Sequence, residues 1–340
     1  MPLWQSILLM AALVAAMFVV FAGIRLWRDP YALIRTEYAR QRWLCGLRRR
    51  VLKVDGRRWV YAEGEASDPA APTIVMLHGF TGSKENWYLV AKRLRGRYRL
   101  LIPDLPGWGE SERRDDGDDG FSAQAKRVVA FVRATCTGPV MLLGHSMGGG
   151  IAAVVAARDP QRVSHVGLLN AAGVRFAENQ FGLDVLAGRN PFGVHDSASL
   201  DSYFDVLFHD RSALPPLPKI ARSIFIAQRV RDADFEQSIL GHIGRGMEQF
   251  LPGEVAREIR QPTLLLWGAH DKVIDPSAMQ IYAQRIPQAR QVLLRRSGHM
   301  TIMEQPDEVA AAVIALAGTM IQPSRQDHMA QASTTSGHTA

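Results

Sequence analysis

A serine between glycines, Gly144-His145-Ser146-Met147-Gly148, follows the apolar run Val140 to Leu143 and opens a Gly- and Ala-rich segment from Gly149. A tight strand-to-helix turn forces unusual dihedrals on such a serine and needs glycine where side chains would collide. The chemistry open to it is attack on an acyl carbon, provided a base takes its proton and a carboxylate orients the base. In the order serine, acid, base, Asp271 in WGAHD and His299 in RRSGH both follow buried apolar runs. Asp275 competes for the acid position, but Asp275-Pro276 suits the start of the following helix better. His78, His145 and His270 also stand at the ends of apolar runs, yet only His299 combines the order and the position of a general base.

A tetrahedral oxyanion needs two backbone donors. The Met147 N–H, just after the serine, is one, and it benefits from the positive end of the helix that begins there. The second is the Phe80 N–H in His78-Gly79-Phe80, on the turn after the run Thr73 to Leu77, where Gly79 lets the backbone come close. The side chains placed to line a substrate are Phe80, His145, Met147 and Met300. No metal site is expected, because the two cysteines, Cys45 and Cys136, stand far apart and build neither a metal cluster nor a disulfide framework.

Runs of apolar residues must carry these groups: Thr73 to Leu77, Tyr98 to Ile102, Val140 to Leu143, His165 to Leu169, Thr263 to Trp267 and Gln291 to Leu294. With no polar face to spare, they read as strands of a parallel sheet covered by helices on both sides. Crossover helices fit Trp87 to Arg95, Ser122 to Ala134 and Gly149 to Ala157. Arg50 to Glu63 reads as a hairpin turning at Asp55-Gly56. The fold class is α/β, a doubly wound, mostly parallel sheet, with its core in 50–173 and 255–320. Residues 174–254 show helical periodicity and no comparable strand, which implies a helical cap over the sheet edge where ligands bind. The polar tail 321–340 reads as disordered.

Leu3 to Ile24 contains only Gln5, Ser6 and Gly23 among apolar residues, long enough at 1.5 Å per residue to cross a hydrocarbon core of about 30 Å. Trp27, Tyr31, Arg25 and Arg28 suit the interface beyond it. A cleaved signal peptide fits less well, for the run is long, lacks a basic start and has no small-x-small cleavage site. We therefore expect a transmembrane anchor over residues 1–25 and a basic stalk over 26–49. The net charge of +7 is concentrated early, with eleven Lys/Arg against three acidic residues between Arg25 and Arg58. That strip reads as a solvated stalk or a surface held on anionic lipid. Without aromatic-basic platforms or a DNA-reading motif, it excludes a nucleic-acid partner. The positive-inside rule leans the catalytic domain toward the cytoplasmic side of a bacterial inner membrane, with the periplasmic side left open. The oligomeric state is also left open, a homodimer through the membrane helix being one form.

Taken together, LHGF, DLPGWGES, GHSMGG, WGAHD and SGHM, in this order, resemble the α/β-hydrolase superfamily over most of Val51 to Gly318. Within it, Asn170-Ala171-Ala172-Gly173 running into Asn179-Gln180-Phe181 is similar to membrane-anchored monoacylglycerol lipases and to bacterial membrane-anchored lipases and phospholipases A. The resemblance implies hydrolysis of acyl esters through an acyl-enzyme, without metal or organic cofactor. Ser146 at the elbow sets aside haloalkane dehalogenases and epoxide hydrolases, which carry Asp there. The expected substrate is an ester of a monoacylglycerol or a (lyso)phospholipid. The alternatives are a C–C bond hydrolase or lactonase of small soluble substrates, and a non-catalytic membrane scaffold that kept the fold.

Overall fold

The computed structural model of the chain describes residues 2–114, 119–214 and 216–319; the tail expected to be disordered lies outside them. One eight-stranded sheet forms from β1 (Arg48–Val54), β2 (Arg57–Gly64), β3 (Thr73–Leu77), β4 (Arg99–Pro103), β5 (Val140–His145), β6 (Val163–Leu169), β7 (Thr263–Gly268) and β8 (Arg290–Leu294). Their order across the sheet is β1-β2-β4-β3-β5-β6-β7-β8. β1, β2 and β4 pair antiparallel, and from β4 to β8 every pairing is parallel.

Every residue of β5 and of β7 is buried, which is why these segments read as continuous apolar runs without alternation. The period of two survives in where the side chains go. Val75, Leu77 and Leu142 join one apolar cluster, while Ile74, Met76, Met141 and Leu143 join the other. On the second face lie α3 (Tyr88–Leu94) and, later in the chain, a helix over Pro306–Ala317. On the first lie α4 (Phe121–Thr135) and α5 (Met147–Arg158), the helix that starts at the candidate nucleophile. The hairpin turn falls where expected, with Asp55 and Gly56 at φ 49° and 77°.

Between β6 and β7 the chain forms α6 (Gln180–Leu186), α7 (Ser197–Leu207), α8 (Lys219–Arg245) and α9 (Leu251–Val255), and no strand among the described residues. Their inward residues, Val185, Leu200, Phe204, Leu207 and Ile239, are buried in the same apolar cluster as α4 and α5. After β7 come α10 (Ser277–Arg285), α11 (Thr301–Glu304) and α12, the helix over Pro306–Ala317.

At the other end, α1 (Leu3–Arg28) has no buried residue. Its 26 residues extend about 39 Å at 1.5 Å each, more than the roughly 30 Å of a hydrocarbon core. α2 (Ala32–Leu44) is not a free stalk: Ala32 and Ile34 are buried, and just beyond it the buried Cys45 thiol donates to the Tyr88 carbonyl at 3.3 Å. The basic strip also divides. Arg48, Arg49 and Arg50 stand on the edge strand β1, where they meet Glu65, Glu110 and Glu63. Part of the Arg25 to Arg58 strip is thus folded into the sheet edge, where carboxylates from other segments pair with Arg48, Arg49 and Arg50 while these stay exposed. Charged side chains on an edge strand also discourage pairing with another sheet.

Candidate active site

β5 ends at His145 and α5 begins at Met147, so Ser146 makes the whole turn by itself. Its backbone sits at φ 56°, ψ −120°, a conformation costing an L-residue about 1–3 kcal/mol. Four backbone bonds hold it: the Ser146 N–H donates to Leu169 O at 2.9 Å, and its carbonyl accepts from the Gly149, Gly150 and Ala172 N–H groups at 2.9, 3.1 and 3.0 Å. The glycines are required by crowding. A Cβ on Gly144 would lie 2.0 Å from the Gly148 carbonyl oxygen.

Two further strand ends deliver the partners. After β7, Asp271 is 5 % exposed, and its Oδ1 accepts from the Val273 and Ile274 N–H groups at 2.8 and 3.0 Å. After β8, His299 is 2 % exposed, and its Nδ1 lies 2.9 Å from Asp271 Oδ2. A carboxylate can only accept here, so Nδ1 carries the proton and Nε2 is left as an acceptor. Asp275 takes the other role weighed for it, accepting the Ser277 N–H at 2.9 Å at the start of α10.

The turn after β3 comes up against the serine: a Cβ on Gly79 would stand 2.8 Å from Ser146 Cβ. Phe80 follows on this turn, and Met147, as the first residue of α5, has no intrahelical acceptor for its N–H. His78 is fully buried, donates from Nδ1 to Gly79 O at 2.8 Å and accepts the Leu105 N–H on Nε2 at 2.9 Å. Burial, more than this hydrogen bond can offset, lowers its pKa to about 4.

Phe80, Met147 and Met300, the other side chains expected to line a substrate, are buried. His145, expected among the substrate contacts, is turned elsewhere. Its Nε2 donates to the His299 carbonyl at 2.7 Å, and burial first, then the neighbouring His299, lowers its pKa to about 3. The last side chain of β5 thus points at the loop after β8, where it holds the base's backbone instead of facing a ligand.

Two residues that hold the site, Asn170 and Leu207, were not assigned a function from the sequence. Asn170, buried at φ 47° after β6, donates from Nδ2 to Asp271 Oδ2 at 2.7 Å and accepts the Thr301 hydroxyl on Oδ1 at 2.8 Å. The Leu207 carbonyl, at the end of α7, accepts the His299 and Met300 N–H groups at 3.0 and 3.2 Å. A polar residue closing the apolar strand β6 was the available signal for Asn170; a backbone carbonyl gives none. Beside the site, Lys84 is 1 % exposed with its Nζ 2.7, 2.9 and 2.9 Å from Asp104, Glu85 and Glu110. Burial works to lower its pKa, but the Asp104 and Glu85 carboxylates outweigh it and raise it, so the loop at Asp104 is anchored by a buried charge cluster.

From Phe80 an aromatic wall extends into the inserted helices, with ring centroids 5.3 Å to Trp108 and 5.4 Å to Phe192, and Phe192 4.7 Å from Phe181. The arrangement can activate a hydroxyl, present two N–H groups to a developing oxyanion and cover an apolar chain.

Comparison with known proteins agrees with this architecture. Lipase 1 of Psychrobacter immobilis is 30% identical over 258 residues, 75% of this chain and 79% of that one. Human monoacylglycerol lipase ABHD6 is 29% identical over 304 residues, 86% of this chain and 88% of its own. Among solved structures, a membrane phospholipase A superposes with a TM-score of 0.80 at 29% identity, covering 91% of this chain and 99% of that one. A model of the alpha/beta hydrolase family matches residues 74–312, from β3 into the last helix and across every residue of the candidate site, and the chain belongs to that family.

Proposed function

We propose that the chain is a membrane-anchored serine carboxyl-ester hydrolase that cleaves lipid esters through an acyl-enzyme. The observation that carries this reading is the buried His299–Asp271 hydrogen bond beside a serine held at φ 56° against the Phe80 turn. Ser146 Oγ attacks the ester carbonyl carbon while His299 Nε2 takes its proton, and the carbonyl electrons move onto oxygen, met by the Phe80 and Met147 N–H groups. Collapse breaks the bond to the alcohol, which leaves with the proton from His299. Water, deprotonated by the same imidazole, then attacks the acyl-enzyme and releases the fatty acid. Asp271 holds the ring and stabilises its cationic form; Asn170 and the two backbone N–H groups fix that carboxylate in place.

Lipid esters are favoured because the relatives compared are named lipases, a monoacylglycerol lipase and a membrane phospholipase A, and because α1 is long and apolar enough to cross a bilayer. The inserted helices act as a cap, and their aromatic wall takes the acyl chain. Arg25 and Arg28 in the last turn of α1 favour the cytoplasmic side for the catalytic domain by the positive-inside rule. A homodimer finds no support in the comparisons and is no part of the proposal.

The test measures rates of the membrane-embedded protein and of Ser146→Ala on monoacylglycerols, lysophospholipids, diacyl phospholipids and short soluble esters. Lipid esters should be preferred, and the substitution should remove about 10⁴-fold or more of the rate. Wild-type turnover by the variant, or activity on small dienones or lactones alone, would overturn it.

A further inference from the structure

The turn that carries Phe80 continues into a strained residue. Thr81 stands at φ 57°, in the left-handed region where a β-branched side chain is a genuine outlier. The turn closes on itself through Gly82 N–H to Gly79 O at 3.1 Å, but nothing in that bond compels Thr81 to stay there. What fixes it lies 122 residues away in the chain: Thr81 Oγ1 is 3.0 Å from the hydroxyl of Tyr203, on α7.

Tyr203 is itself immobilised. It is 7 % exposed, its ring packs against Phe204 and Phe192 at 5.5 and 6.0 Å, and the Arg229 guanidinium lies over its face 4.6 Å from the centroid. Arg229 is buried too, held on α8 by Glu236 at 2.8 Å and by the Phe192 carbonyl at 2.8 Å. Burial raises the Glu236 pKa to about 6 despite that partner. A buried ion pair of this kind adds little net stability against apolar packing, yet it fixes an arginine over the ring, and the cation–π attraction helps hold the ring in place.

We propose that Tyr203 is a positioning residue for the oxyanion donor: through Thr81 it holds the Phe80 N–H in the geometry the tetrahedral intermediate requires. The Phe80 N–H lies in the Gly79–Phe80 peptide plane, which the Phe80 Cα joins to the Phe80–Thr81 plane, so relaxing Thr81 toward negative φ displaces the Phe80 Cα and, through it, the N–H. The inserted helices thus complete the catalytic centre as well as cover it. This inference rests on the assignment of Phe80 as an oxyanion donor.

The test is a double-mutant cycle of Tyr203→Phe and Thr81→Val on a short soluble ester, with Thr81→Ser as the conservative variant. Labelling rates with a fluorophosphonate, whose P=O oxygen occupies the same place as the oxyanion, run in parallel. Losing an oxyanion donor costs about 10²–10³-fold in kcat, so its misplacement should cost about tenfold. Each single variant should lose that much kcat with KM within about twofold, and labelling should slow in the same ratio. The double variant should be no worse than either single one, and Thr81→Ser should recover at least half of the loss. Additive losses, an effect confined to KM, or a Ser variant as slow as the Val variant would overturn the proposal. If Tyr203→Phe does not fold, the Thr81 pair and its labelling rates still decide. Failure of the hydrolase reading itself would show separately, as undiminished hydrolysis by Ser146→Ala.

Discussion

The sheet and the helices inserted between β6 and β7 both contribute to the candidate site, but they hold it by different means. The sheet places groups through its topology: β5, β7 and β8 are neighbours in a parallel stack or one strand removed, so their C-terminal ends bring Ser146, Asp271 and His299 to one rim. The inserted helices act through single contacts, the Leu207 carbonyl on the His299 backbone and the Tyr203 hydroxyl on Thr81. Geometry set by strand register is shared by many backbone bonds and resists any one substitution. Geometry set by one hydrogen bond does not, and the effect of losing it falls on rate before stability.

The comparison sharpens most at the acid. Asp271→Asn keeps the packing but offers His299 an amide that can present its N–H₂ to Nδ1 and so favour the wrong tautomer; kcat should fall by about 10³- to 10⁴-fold. Asp275→Asn, one turn later, should change kcat less than about threefold, since Asp275 touches the Ser277 backbone and not the imidazole. Steady-state rates of the two variants on one ester check the pair. Equal losses would dissolve the assignment of the acid.

A smaller effect is expected at Asn170. Asn170→Gly relieves the backbone at φ 47° while removing the 2.7 Å bond to Asp271. Melting temperature should therefore change little while kcat falls about tenfold, the scale of one charge-assisted hydrogen bond. Loss of stability without loss of kcat would make Asn170 a packing residue.

The smallest effect concerns acid. His78 and His145, with pKa values near 4 and 3 in the fold against 6.5 for a free imidazole, take up protons near pH 6.5 when unfolded but not when folded. Stability is thus fully present above about pH 6.5 and declines as the pH drops from there toward 4 and 3. Denaturant titrations across that window should show the slope, and His145→Gln, which keeps a donor for the His299 carbonyl, should flatten it. An unchanged slope would remove His145 from this account.

How much of this was readable beforehand follows the same division. Thr73–Leu77 was found to the residue, and β5 and β7 to within two, because strands buried on both faces have no polar side chain to blur their edges; β8, an edge strand exposed over most of its length, was found to within one residue but is not the buried strand expected. Ser146, Asp271 and His299 were legible because each closes an apolar run in the order the chemistry needs. His145 was misread because the alternation along β5 that turns it toward His299 cannot be seen in an all-apolar strand. Nothing in the sequence marks Arg229 and Glu236, which only the tertiary fold buries together, the arginine over the Tyr203 ring. Arg48 to Arg50 looked like part of a stalk, because their carboxylate partners come from Glu63, Glu65 and Glu110, later in the chain.

The most direct measurement labels the folded, full-length protein with a fluorophosphonate and locates the adduct by mass spectrometry of its peptides. The account predicts one adduct, on Ser146, formed at a rate that Asp271→Asn slows together with ester hydrolysis. An adduct on another residue, or hydrolysis that continues once Ser146 is blocked, would contradict it.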